Sequence, residues 1–307
     1  MIVPFGLLAV LPLALALPAL PAVPSATVPA VAAASPTVTL AQGAYAGKVD
    51  ATNGVTSFLG IPFAQQPYAS LFTVTFITSF TDITPSLSVG DLRFRTALPP
   101  LPVSGLQQAT AYGASCYQQS QTAGIAEGVP ATLVNTVYNT IPSTTGDREA
   151  CLFVNVQQNT VVPAALVPSG GLPVIVWIYG GGFEFGNSGG SDGAPITARS
   201  LVSGTPVIYV SFNYRLNGFG FMPGQEVQDA KVGNLGLRDQ TEALRWIHKN
   251  IASFGGDPAK VTIWGESAGA ISVAYQMTTN GGQNGGSGKS TSWYHVLALR
   301  LTLLLRR

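Results

Sequence analysis

The sequence predicts an α/β architecture, a mixed or parallel sheet flanked by helices. Two observations carry this. Three short apolar runs, at 173–179 (PVIVWIY), 206–212 (PVIYVSF) and 261–264 (VTIW), are rich in β-branched and aromatic residues and lack polar alternation. Runs of that kind suit strands covered on both faces. Helical patterns then occur between the second and third runs and again after the third, giving strand–helix–strand–helix order.

Each element has its own justification. The stretch 151–156 (CLFVNV) reads as an earlier strand. In the helix before the third run, Leu237, Leu244, Ile247 and Ile251 recur at helical spacing, while Arg238, Asp239, Glu242, Arg245 and Lys249 fall elsewhere on the wheel. Gly255 and Gly256 end that helix, and Asp257-Pro258 forms the turn. A second helix starts after Ser267 and runs through Ala268 to about Met277.

The flanks read differently. No charged side chain occurs in the first 24 residues, and an apolar stretch from about Phe5 to Leu17 is followed by several prolines. Ala14-Leu15-Ala16 fits a small-x-small cleavage site, so 1–16 reads as a secretory signal peptide, extending to as far as about 24. The other reading is an apolar, disordered N-terminus. Pro12 and Pro18 argue against a membrane-spanning helix. Residues 17–37 form a Pro/Ala-rich lead-in. Two cysteines, Cys116 and Cys151, suit an exported chain and would close one disulfide; two buried free thiols are the alternative. With a formal net charge of +1 in 307 residues, nothing in the balance suggests a nucleic-acid partner.

The chemistry lies at Gly265-Glu266-Ser267-Ala268-Gly269, a G-x-S-x-G that follows the third run and opens a helix. A serine on such an elbow occupies a strained backbone, so its neighbours must be small. The elbow lifts the hydroxyl out of the sheet and puts unpaired helix N–H groups beside a developing oxyanion. The second element is Gly180-Gly181-Gly182-Phe183, directly after the first run. Alone it would be a flexible loop. Paired with the elbow, its N–H groups can approach a substrate carbonyl unobstructed. Ser267 is then the candidate nucleophile, with Gly181, Gly182 and Ala268 as oxyanion donors. One decoy is set aside. Gly285-Gly286-Ser287-Gly288-Lys289-Ser290 suggests a phosphate loop, but Gln283 stands where a glycine is needed and no strand precedes it.

In these motifs the chain resembles the type-B carboxylesterase family, which includes fungal secreted lipases and cholinesterases. Besides the elbow and the glycine run, the matching pieces are Gly60-Ile61-Pro62-Phe63-Ala64, Gly90-Asp91-Leu92-Arg93-Phe94, Glu149-Ala150-Cys151-Leu152, Asn213-Tyr214-Arg215, Gly233 to Gln240, and Phe254-Gly255-Gly256-Asp257-Pro258, in family order. The resemblance implies an α/β-hydrolase fold over 38–286, a secreted protein, and hydrolysis of small-molecule or lipid carboxylic esters through an acyl-enzyme on Ser267. It also implies a Cys116–Cys151 bridge and no metal or organic cofactor. Glu266 would line the pocket in such an enzyme, or else be a buried structural carboxylate.

Three departures accompany the resemblance. The family's catalytic acid and histidine lie far downstream of the nucleophile. Here no Asp or Glu follows Glu266, and only His295 follows as a histidine. His248, upstream, reads as a partly exposed helix residue. The domain therefore reads as truncated after the nucleophile helix, with 287–307 an apolar-basic tail foreign to the family, and a bare sheet edge is expected. A premature stop or a gene-model error would produce this. Residues 68–88 interrupt a family stretch and read as a retained in-frame intron or an unusual insertion. Ala150 stands where the family usually has an acidic residue. The alternative function is a catalytically inactive remnant, or a non-catalytic binding protein on the same fold.

Overall fold

The computed structural model describes residues 35–67, 92–119, 146–279 and 294–298. The expected signal peptide, the lead-in up to residue 34, the insertion at 68–88 and most of the tail lie outside the described residues.

In chain order the strands are β1 (Thr37–Leu40), β2 (Gly43–Ala46), β3 (Lys48–Asp50), β4 (Val55–Pro62), β5 (Leu106–Gln108), β6 (Ser115–Cys116), β7 (Asp147–Arg148), β8 (Phe153–Asn159), β9 (Leu172–Ile178), β10 (Ile208–Phe212), β11 (Gly256–Gly265) and β12 (Tyr294–Ala298). The helices are α1 (Ala194–Val202), α2 (Asn217–Phe221), α3 (Gln225–Asp229), α4 (Leu235–Asn250) and α5 (Ala268–Thr278). The central sheet has the order β12-β11-β9-β10-β8-β4-β3, with β1-β2-β5 as a small second sheet and β6-β7 as a short pair. β12, β11, β9 and β10 run parallel, whereas β8, β4 and β3 attach antiparallel.

The predicted runs at 173–179, 206–212 and 261–264 become β9, β10 and β11, and 151–156 becomes β8. β11 starts earlier than expected, at Gly256, because the Gly255–Pro258 turn re-enters the sheet through an irregular register between Gly256 and Val261. On one sheet face Val174, Val176, Ile178, Val261 and Ile263 are buried together with Leu244 and Ile247 of α4 and Val273 of α5. Each such side chain stabilises the fold by ~1.5–3 kcal/mol on burial. α4 and α5 are also joined by polar bonds: Gln240 Nε2 donates to Ser272 Oγ (2.9 Å) and Gln276 Nε2 to the Leu237 carbonyl (3.0 Å). α1 contacts β8, β10 and β4.

Two expectations need correcting. Asp239, assigned to the polar side of its helix, is fully buried, because Arg215 meets it there through Nη2 (2.6 Å) and Nε (2.7 Å). The sheet edge beyond β11 is not bare: β12, from the tail, pairs parallel with it from Tyr294–Val261 to Ala298–Gly265. Five residues of the tail thus supply the backbone partners that the edge required.

Candidate active site

Register brings the two predicted motifs together. β9 and β11 are parallel neighbours, and their ends align: Trp177 pairs with Trp264, and Ile178 with Gly265. The chain leaves β9 for β10 on one side of the sheet, and leaves β11 for β12 on the other. The strand order therefore reverses between β9 and β11, and crevices at such a reversal, outside the carboxyl ends of the strands, are where open α/β sheets bind ligands. Gly180–Phe183 and Ser267 flank that point.

Ser267 is the N-cap of α5 with φ 54° and ψ −124°, an uncommon conformation for a residue with a Cβ. Holding it costs on the order of 1–3 kcal/mol. The neighbouring glycines make the elbow possible. A Cβ on Gly265 would stand 2.6 Å from the Ile178 carbonyl oxygen, and one on Gly269 only 2.0 Å from it. The helix starts at once, with Gly269 N–H donating to the Glu266 carbonyl (2.8 Å) and Ile271 N–H to that of Ser267 (3.1 Å). Ser267 itself is half-buried.

The glycine run meets the elbow at Gly180, where a Cβ would lie 2.9 Å from Ser267 Cβ and 2.5 Å from the Glu266 carbonyl oxygen. Gly181 and Gly182 both have positive φ, 104° and 64°, and so does Phe183 at 64°. Among the described residues no group accepts a hydrogen bond from the N–H of Gly181, Gly182 or Ala268. Three unpaired main-chain donors therefore sit on the two segments that converge on Ser267. Glu266 is solvent-exposed, with its carboxylate beside Gly180, so a buried structural carboxylate is not what the structure holds. His248 is half-buried in α4, and His295 lies in β12, in register with Thr262.

Cys116 and Cys151 are bridged, and no free cysteine remains. With a sequence separation of 35 between the two ends, the link stabilises by roughly 3–4 kcal/mol in the chain-entropy view. The residues after Cys116 reach the glycine loop: Gln118 Oε1 accepts from Gly186 N–H (2.7 Å), and Gln119 N–H donates to the Glu184 carbonyl (2.8 Å).

Sequence reasoning missed the supports of the loop. Tyr179 and Tyr214 stack with ring centroids 4.4 Å apart, and both are buried. In the sequence Tyr214 stands only within Asn213-Tyr214-Arg215, and nothing in one sequence says that this segment folds against the end of β9.

The profile of the carboxylesterase family matches residues 78–286. Secreted lipase 1 of Botryotinia fuckeliana (strain B05.10) is 41% identical over 260 residues, 84% of this chain and 41% of that protein. Lipase 2 of Diutina rugosa is 39% identical over 267 residues, 85% of this chain and 43% of that protein. Among solved structures, a thermophilic PNB esterase superimposes with a TM-score of 0.61 at 32% identity, covering 82% of this chain and 42% of that one. The described core thus has the α/β-hydrolase fold. The chain spans about two fifths of the length of the relatives it matches. No described helix is long and apolar enough to cross a membrane.

Proposed function

This chain belongs to the carboxylesterase family, and we propose that it carries the nucleophile and oxyanion portion of a serine carboxylic ester hydrolase. The observation that carries the proposal is the convergence of a strained serine with a glycine loop of unpaired N–H groups, at the sheet's reversal point.

In this reading Ser267 Oγ attacks the ester carbonyl carbon. The C=O π electrons move onto oxygen, and the N–H groups of Gly181, Gly182 and Ala268 stabilise the resulting oxyanion. One such donor is typically worth ~2.7–4 kcal/mol of barrier. Collapse expels the alcohol and leaves an acyl ester on Ser267, which water then hydrolyses. The hydroxyl needs a base to take its proton. No Asp or Glu follows Glu266 within these 307 residues, so none of them is assigned as that base's acid partner. Glu266, exposed with its carboxylate beside Gly180, would face the substrate in this reading. Substrates would be small-molecule or lipid esters, as the names of the lipase and esterase relatives suggest. Secretion is supported by the disulfide, by the apolar N-terminal stretch and by the secreted relative.

The test is adduct mapping. The purified chain is incubated with a fluorophosphonate and digested. A phosphonyl adduct is expected on the peptide holding Ser267 and absent from Ser267→Ala. Adducts spread over many serines, or none on Ser267 after prolonged exposure, would sink the proposal.

A further inference from the structure

We propose that the segment Tyr214 to Asn217 clamps the glycine loop at both ends, making Tyr214 a positioning residue for the oxyanion donors; this rests on the reading of Ser267 as nucleophile. Tyr214 Oη donates to the Tyr179 carbonyl (2.7 Å), the group bonded directly to Gly180 N. Three residues later Asn217 N–H donates to the Phe183 carbonyl (2.8 Å), which closes the loop on its far side. One short segment thus grips the main chain immediately before Gly180 and immediately after Gly182.

The grip is reciprocal. Tyr179 Oη donates to the Tyr214 carbonyl (3.1 Å) and accepts from Tyr214 N–H (3.3 Å), so each tyrosine ties down the other's backbone. Burial pushes both hydroxyls above the ordinary tyrosine range, which keeps them protonated and able to donate. The clamping segment is itself fixed. Arg215 N–H donates to Asp239 Oδ2 (3.1 Å), and a Cβ added at Gly220 or Gly236 would stand 2.1 or 2.4 Å from the Arg215 carbonyl oxygen. Asn217 Nδ2 donates to the Tyr117 carbonyl (2.7 Å), next to the disulfide.

A loop of three glycines has more backbone freedom than any other tripeptide. Oxyanion donors contribute fully only when held before the charge develops. The clamp supplies that restraint from the Tyr214 hydroxyl and the Asn217 main chain, leaving the loop itself free of any Cβ that would block a substrate.

Nitrogen-15 relaxation on glycine-labelled full chain, with Tyr214→Phe alongside, tests this. The variant keeps the stacked ring and removes only the hydroxyl. In the natural chain the Gly181 and Gly182 amides are expected near rigid-backbone order parameters, about 0.85, falling below about 0.6 in Tyr214→Phe, while Gly265 and Gly269 stay rigid. Phenylboronic acid reads the consequence: it forms an Oγ–boron bond with Ser267, the hydroxyl proton going to solvent, and puts an oxygen in the donor cradle. Its affinity is expected to fall about tenfold in the variant, a fraction of the ~10²–10³ that one lost donor costs, while the melting temperature falls only by the few degrees that one lost buried hydrogen bond explains. Unchanged order parameters in Tyr214→Phe overturn the clamp. Were that variant not to fold, order parameters already below about 0.6 in the natural chain would overturn it, and rigid ones would support it. Rigid glycines together with no boronate binding in the natural chain would leave the clamp standing and refute the nucleophile.

Discussion

The elbow after β11 and the loop after β9 face each other, and both hold residues at positive φ, yet they are held in place by opposite means. The elbow is fixed from within. Gly265 and Gly269 sit so close to the Ile178 carbonyl that no other residue fits, and the first hydrogen bonds of α5 follow directly from Glu266 and Ser267. The loop is fixed from outside. Gly182 has open space around it, and, beside the loop's own turn bonds from Glu184 and Phe185 N–H to the Gly181 carbonyl, the loop is held by Tyr214, Asn217 and Gln118, which lie tens of residues away in the chain. A strained serine needs a rigid local frame, whereas the proposed anion cradle needs clear space with its donors steadied from behind.

Disturbing the outer frame should have the largest effect. Asp239→Ala leaves Arg215 buried without its counter-charge, and breaking such a pair costs ~3–5 kcal/mol. Urea unfolding measures it. A loss below about 1 kcal/mol would mean that the segment carrying Tyr214 does not depend on α4. Gly269→Ala comes next. Its methyl would collide with the backbone at Ile178, for an expected loss at the upper end of ~1–3 kcal/mol. Gly182→Ala should cost least, ~1–2 kcal/mol, from its positive φ alone, because nothing lies within 4 Å of the added carbon. Equal losses for the two alanine variants would erase the contrast between a packed elbow and an open loop.

The same contrast explains what the sequence disclosed. Ser267, Gly265 and Gly269 were legible because the elbow's constraints are local: the small residues stand within two positions of the serine they accommodate. The parallel strands were legible from their unbroken apolarity, and α4 from its spacing. The clamp was not legible, because Tyr214 reaches Tyr179 across a crossover and a tyrosine in an apolar stretch looks like ordinary core. Asp239 was misplaced for a related reason: helical spacing marks apolar faces, and a carboxylate buried against an arginine from a distant loop leaves no periodic trace. β1 to β4 went unpredicted because β1 to β3 are only three or four residues long and β4 is interrupted by Gly60, whose N–H turns to Asn155 Oδ1 (2.9 Å) at a shift of register.

The central claim is that the fold gives Ser267 a pre-formed anion cradle. The most direct measurement is the second-order rate of Ser267 phosphonylation in the folded chain against that in a free peptide spanning 260–272. The cradle should give an acceleration of at least about 10³, which is what oxyanion donors and binding supply by themselves. Equal rates in chain and peptide would contradict it.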